Sequence, residues 1–124
     1  MLILAAIGFS VQASAQNKDK ECMAIADVFR VAGEGYQMSA NIGDAINLTD
    51  RLLLGMKKLN LVDPKLKNLQ GRYIAYFNSS NELLKKGQQN QNNEAALDAL
   101  MASARASSAM GHNLGQELID YCSQ

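Results

Sequence analysis

Apolar side chains recur at intervals of three and four residues in four stretches of this chain, which is the spacing of one buried face of an α-helix. The stretches predict helices over about 18–40, 45–59, 64–87 and 93–122. The chain is therefore predicted to be all-α. The predicted buried faces are Cys22, Ile25, Phe29, Ala32 and Tyr36; then Ala45, Leu48, Leu52, Met56 and Leu59; then Leu66, Leu69, Tyr73, Phe77, Ser80 and Leu84; and finally Leu97, Leu100, Ala104, Ser107, Gly111, Leu114, Leu118 and Cys122.

Turn and capping residues separate the four stretches. The tetrapeptide 41–44 predicts a turn, and Asp63-Pro64 predicts a helix start, because aspartate caps free amides and proline needs no N–H at the first position. Gly87 is predicted to close the third helix in the left-handed conformation, and Asn93 to cap the fourth. Short connections make consecutive helices antiparallel, so the expected fold is an up-down-up-down four-helix bundle.

The first fifteen residues differ in composition from the rest. Residues 2–11 are nearly all apolar and precede Ala13-Ser14-Ala15, which predicts a signal peptide over 1–15 and a mature domain over 16–124. A signal peptide normally begins with Lys or Arg, and neither precedes the apolar run here. We therefore expect that this signal peptide is truncated at its start. A retained membrane anchor is the alternative, but the run falls short of the roughly 20 residues that a spanning helix needs. We therefore expect a periplasmic or secreted protein without a stable membrane span after cleavage.

Export changes the meaning of the two cysteines, because disulfides persist in oxidising compartments. An up-down-up-down bundle places the start of its first helix beside the end of its last, so Cys22 and Cys122 are predicted to form a disulfide. A three-helix bundle would separate them, and two buried free thiols are the other alternative. In the loop-entropy model, closing about 100 residues contributes roughly 4 to 5 kcal/mol.

Charge and site composition exclude several classes of function. Twelve basic residues balance twelve acidic ones, so the chain has no net field that would attract nucleic acid. Haem held between Met23 and His112 is disfavoured, because helix register separates them by roughly 13 to 15 Å along the bundle. With one histidine and no plausible nucleophile and base pair, we expect no metal, no cofactor and no enzymatic activity.

A few polar and aromatic residues form a candidate binding surface. Tyr76 lies off the predicted stripe of its helix, beside Arg72, whereas Tyr73 and Phe77 are expected in the core. His112 is predicted at the boundary between core and solvent. Four lysines near the second helix connection give one end of the bundle positive charge, and a solvated helix end is the alternative interpretation. The candidate residues are Tyr76, Arg72, His112, Lys57, Lys58, Lys65 and Lys67.

Three sequence segments carry a family resemblance. The run 59–66, which reads Leu-Asn-Leu-Val-Asp-Pro-Lys-Leu, is followed by Gln70-Gly71-Arg72-Tyr73 and by a terminal Tyr121-Cys122. With these segments the chain resembles small exported helical proteins of cyanobacteria, from Cys22 onward. The resemblance implies a fold and a compartment and brings no activity with it.

Two functions of different classes fit these expectations. The first is a non-enzymatic structural or interaction module that binds an envelope or extracellular protein and exposes an apolar patch. The second is a small-ligand carrier with a pocket between the first and last helices, near Gly33 and Gly111, where small side chains leave space.

Overall fold

Four α-helices make up the part of the chain that the computed structural model describes, namely residues 2–34 and 42–124, with side chains from Asn17 onward. They are α1 (Leu2–Glu34), α2 (Ile42–Lys57), α3 (Pro64–Gln89) and α4 (Glu94–Cys122). No strand occurs in these residues, and the helices pack as a bundle in which the Cys22–Cys122 disulfide joins the first to the last. The predicted fold class is confirmed.

The core lies where α1, α2 and α3 meet. Each consecutive pair of helices packs together, whereas α1 and α4 share only a narrow contact. The Phe29 ring meets Tyr73 edge-on at 5.4 Å between centroids, and Tyr73 stacks on Phe77 at 5.7 Å. Gly55 allows α1 to approach α2 closely, because a methyl group there would lie 2.9 Å from a Val28 methyl carbon. The buried cluster consists of Ile25, Leu53, Met56, Leu61, Leu66, Leu69, Tyr73, Phe77 and Leu114.

The predicted start of α3 is confirmed. Asp63 is the N-cap, and its carboxylate accepts a hydrogen bond from the Leu66 amide at 3.0 Å, with Pro64 following it. Across the connection, the Gln70 side-chain amide donates to the carbonyl oxygens of Met56 at 2.8 Å and Leu59 at 2.9 Å. These bonds link α3 to carbonyls at and just beyond the end of α2.

The disulfide closes the same end of the bundle. The Cα atoms of Cys22 and Cys122 lie 6.1 Å apart, within the range that an S–S bond spans. The neighbouring Glu21 carboxylate accepts hydrogen bonds from the amides of Val62 and Asp63, the latter at 3.0 Å. The disulfide at Cys22 and the hydrogen bonds to Glu21 thus fix this part of α1 to the rest of the bundle.

Tyr121 adds a link between α4 and the cap of α3. Its hydroxyl donates to both Asp63 carboxylate oxygens, at 2.8 and 2.9 Å, and the Lys18 ammonium lies 4.4 Å from the centre of its ring. The hydrogen bond to the Asp63 carboxylate raises the pKa of Tyr121, and burial raises it further. We call Glu21, Asp63, Tyr121 and the disulfide the disulfide end.

One predicted boundary between the first two helices is wrong. α2 begins at Ile42, so the predicted turn over 41–44 is helical from its second residue, with Asp44 in a first turn that favours acidic side chains. α1 is described as far as Glu34, so its predicted end near residue 40 is not tested. The segment 35–41, including Tyr36 of the predicted stripe, lies outside the described residues.

The end of α3 also differs from the prediction. The helix continues past Gly87 to Gln89, and no described glycine has a positive φ. Asn90 closes the helix instead, because its backbone amide donates to the Lys86 and Gly87 carbonyls and its side chain donates to Lys86 at 2.7 Å. A left-handed glycine is not needed where an asparagine supplies these bonds. The Asn93 cap of α4 is as predicted and accepts from the Ala96 amide at 3.1 Å.

Burial corrects the predicted faces of α2 and α3. The buried side of α2 carries Ile46, Thr49, Leu53 and Met56, so most of the predicted stripe lies one residue away. On α3, Asn81 is buried at 5% exposure where the pattern predicted Ser80 and Leu84, which are half-buried.

α4 is far less buried than predicted. Among its predicted stripe residues only Leu114 is buried, and Ala104 is exposed. The reason is that α3 is the main neighbour of α4, whose contact with α1 is narrow. Leu97, Leu100, Ser107, Gly111, Leu118 and Cys122 are half-buried.

The structure does not test the predicted signal peptide. Residues 2–15 belong to α1, but their side chains are not described, so signal cleavage remains a prediction. None of the described helices is long and apolar enough to cross a membrane.

Candidate functional site: the outer groove of α3 and α4

An open groove with a volume of about 630 Å³ runs between α3 and α4. We call it the outer groove. Its apolar lining comes from Tyr76 and Leu83 on α3 and from Ala106, Met110 and Leu114 on α4. Met110 is 59% exposed, so an apolar side chain of this groove faces solvent.

Tyr76 and Gly111 determine the shape of the groove. The Tyr76 hydroxyl lies so close to Gly111 that a side chain at this position would overlap with it. Glycine thus lets the phenol cross onto α4, and the ring also packs against Phe77 with centroids 5.5 Å apart. The space at Gly111 is filled by Tyr76. At Gly33, in contrast, no described side chain and no other described helix lies within 4 Å of where a side chain would begin.

One end of the groove carries a charged cluster. An Arg72 nitrogen donates to a Glu117 carboxylate oxygen at 3.0 Å, a second Arg72 nitrogen bonds the other oxygen, and Lys65 lies 3.3 Å from the first. The hydrogen bond from Arg72 lowers the pKa of Glu117 to about 2, and that from Lys65 acts in the same direction. The hydrogen bond to Glu117 likewise raises the pKa of Arg72. The guanidinium is thus already paired within the chain.

Elsewhere the polar groups of the groove are mostly uncharged. Ser79, Ser103 and Asn113 contribute hydroxyls and an amide, and Ser107 lies 3.5 Å from Ser80 between their oxygens. Exposed Glu82 and Lys86 stand one turn apart on the α3 rim. Such a lining favours apolar contact with a few hydrogen bonds around it.

The predicted surface residues divide into two groups. Arg72 and Tyr76 line the outer groove together. Lys57, Lys58 and Lys67 are exposed near the disulfide end, and Lys65 is bound to Glu117. The three exposed lysines are not among the groove-lining residues, whereas Lys65 belongs to the charged cluster at one end of the groove.

His112 is exposed on α4 and is not one of the groove-lining residues. Met23, considered with it as a haem ligand, is 68% exposed on α1. No group of three His, Cys, Asp or Glu residues that could hold a metal ion occurs in residues 17–34 and 42–124.

Part of the α4 side of the groove was missed from the sequence. Ser103, Ala106 and Met110 lie outside the stripe predicted to be buried, although Ser107 and Leu114 of that stripe also line the groove. A signal was nevertheless present, because Met110 is a large apolar residue on a face otherwise made of alanine, serine and charged residues. The described groove also lies between α3 and α4, not between the first and last helices where the carrier hypothesis placed a pocket.

Comparison with known proteins gives no guide to function: no protein-family model, curated protein or solved structure matches this chain.

Proposed function

We propose that this protein is an exported, non-enzymatic interaction module whose outer groove binds an apolar surface of a polypeptide. The observation that carries the proposal is the combination of an apolar-lined groove with exposed Met110 at its edge. Contiguous exposed apolar surface in a folded protein is typical of a binding site.

The chemistry of the lining supports binding over catalysis. The groove offers methyl, thioether and ring surfaces with neutral hydroxyl and amide groups, and its guanidinium is already bound to Glu117. General acid and base chemistry needs a titratable group held within hydrogen-bond reach of a reacting atom. Glu82 and Lys86 are exposed on the α3 rim of the groove, and the exposed histidine of α4 is not part of the lining.

Export belongs to the same proposal. The apolar N-terminal run with its Ala13-Ser14-Ala15 site supports it, and the disulfide supports an oxidising compartment, either periplasmic or extracellular. Mass spectrometry of the protein from its own cells tests this part. The expected mass is that of a chain starting at Gln16 less two hydrogens, and a full-length mass would contradict the proposed processing.

A small-ligand carrier is the second candidate, because a volume of about 630 Å³ falls within the range of small-molecule sites. Native mass spectrometry separates the two candidates. A stoichiometric non-covalent adduct of low mass would favour the carrier, whereas a bare chain or a protein complex would favour the interaction module.

Site-specific photo-crosslinking tests the binding surface itself. A photoreactive phenylalanine analogue replaces Asn113 in the groove or, as the matched control, Asn68, an exposed asparagine of α3 outside it. Irradiation in the producing cells should give a discrete protein adduct from position 113 and none from position 68. Equal labelling at both positions, or no protein adduct at 113, would overturn the proposal.

A further inference from the structure

The partner can be specified further, on the basis of the proposed function. We infer that the outer groove and the adjoining face of α4 bind the same surface of a second copy of this chain, with the two α4 helices antiparallel. A surface that matches itself under a two-fold axis is the ordinary interface of a symmetric dimer.

The exposed face of α4 beside the groove has a seven-residue repeat. Alanines at alternating spacings of four and three residues lie along one side of the helix, which is the pattern that two helices use to pack along a common seam. The side chains are small, so two backbones can approach closely there. All five are exposed, and no element of residues 17–34 and 42–124 covers them: Ala95, Ala99, Ala102, Ala106 and Ala109.

Charges beside this seam select a second copy as the partner. Asp98 precedes Ala99, and Arg105 precedes Ala106, so both flank the seam on the same side. Both are exposed, and neither forms an ion pair with any residue that the structure describes. Each is left available for a charge on another molecule.

Antiparallel pairing brings these charges together. When Ala99 lies opposite Ala102 of the second copy, helix geometry places Asp98 within side-chain reach of Arg105 of that copy. The two-fold axis repeats the pair, so one register satisfies both charges of both copies. Parallel pairing in register would instead set Asp98 beside Ser103 and Arg105 beside Met110 of the second copy, so both charges would stay unpaired. Electrostatic complementarity of this kind fixes orientation and register.

The groove lies on the opposite flank of the seam. Ser103 and Met110 each follow a seam alanine by one residue and line the groove, whose other wall is α3 with Leu83. In this antiparallel register, the α3–α4 turn of the second copy, at 90–93, lies level with Met110. That turn then covers Met110, which leaves water. The dimer thus accounts for the exposed methionine at the groove edge, the alanine repeat and the unpaired charges together.

A charge-reversal cycle tests the register, with sedimentation equilibrium on the protein as its host produces it, disulfide intact. The unaltered protein should dimerise. Arg105→Asp or Asp98→Arg alone should weaken association by about tenfold or more, because each variant replaces two attractive pairs by two repulsive ones. The double variant D98R/R105D should recover most of the lost affinity. Unchanged association in the single variants, or no recovery in the double variant, would overturn the inferred register.

Two alanines of α4 test the seam. Ala102→Gln places a long side chain on the seam and should abolish the dimer, whereas Ala104→Gln alters an exposed alanine on a different side of the helix and should leave it intact. Far-ultraviolet circular dichroism checks that both variants remain folded. Equal loss of the dimer in both folded variants would contradict a seam at these positions.

The dimer and the proposed function fail in different ways. A protein that stays monomeric over a roughly hundredfold range of concentration overturns the dimer by mass action. If position 113 nevertheless crosslinks to a different protein, the interaction module stands without self-association. An adduct of twice the chain mass supports both, and the absence of any adduct removes the proposed function.

Discussion

The two ends of the bundle are built differently. At the disulfide end, the polar groups around the start of α3 have partners, since Glu21 and Tyr121 both bind Asp63 and Gln70 binds the end of α2. Towards the α3–α4 turn, most of α4 is exposed, and the buried Asn81 has a side-chain oxygen without a hydrogen-bond partner in the described structure.

This difference separates stability from binding. Groups that are buried and fully hydrogen-bonded resist opening, whereas elements with few buried contacts open at lower free energy. The disulfide end therefore holds the fold, and the half of α4 nearest the turn is left with exposed surface for a partner. Each prediction below strengthens or removes this contrast.

Removing the disulfide should have the largest effect. The bond joins cysteines separated by 100 positions in the sequence, and the double variant C22S/C122S should lose about 4 kcal/mol of unfolding free energy. Urea denaturation followed by circular dichroism measures the loss. Equal midpoints for the variant and the oxidised protein would show that hydrogen bonds alone hold the disulfide end.

Two leucine-to-alanine substitutions compare the packing at the two ends directly. Leu69 is fully buried on α3, so Leu69→Ala should cost about 3 kcal/mol through lost burial and the cavity left behind. Leu97 on α4 is half-buried, and Leu97→Ala should cost about 1 kcal/mol or less. The same urea titration measures both. Similar costs at the two positions would contradict the contrast in packing.

Tyr121 tests the hydrogen bonds of the disulfide end. Tyr121→Phe removes the donor to Asp63 and should cost about 1 kcal/mol at neutral pH. The pKa of Tyr121 is raised above its ordinary value of 10.0, so the folded state holds this proton more tightly than the unfolded state.

The pH dependence follows from that shift. The contribution of Tyr121 should be fully present below pH 10 and be lost as the pH rises through the raised value. Stability measured from pH 8 upwards should therefore fall more steeply in the unaltered protein than in Tyr121→Phe. Parallel curves would contradict a role for the phenol proton.

At Asn81 we expect a small effect of the opposite sign, a gain in stability. Its amide nitrogen donates to Asp50 at 2.5 Å, but its buried oxygen has no partner among the described residues. Asn81→Leu removes that polar group and leaves Asp50, which is exposed, to water. We expect a gain of about 1 kcal/mol by thermal denaturation. A loss of similar size would show that the asparagine is satisfied in solution.

Local chemistry explains what the sequence predicted well. The caps at Asp63 and Asn93 depend on a side chain and amides three residues away, and both are found as predicted. The pairing of Cys22 with Cys122 follows from having only two cysteines, together with antiparallel helices. Neither inference requires knowing which face of a helix is buried.

The errors arise where the pattern permits more than one answer. Leu52, Leu53 and Leu54 are consecutive, so spacing alone does not fix the buried face of α2. The alanines of α4 fit buried and exposed positions equally well. The groove depends on the contact between Tyr76 on α3 and Gly111 on α4. These residues are 35 positions apart in the sequence, so no local pattern predicts their contact.

The bond between the first and last helices also determines what a single break in the backbone would do. A protease that cuts the turn between α3 and α4, at 90–93, divides the polypeptide but releases nothing, because the piece with Cys122 stays attached through Cys22. The nicked protein keeps its mass, apart from one added water, until a reductant separates the fragments. Resistance to dissociation after cleavage is thus built into the covalent topology.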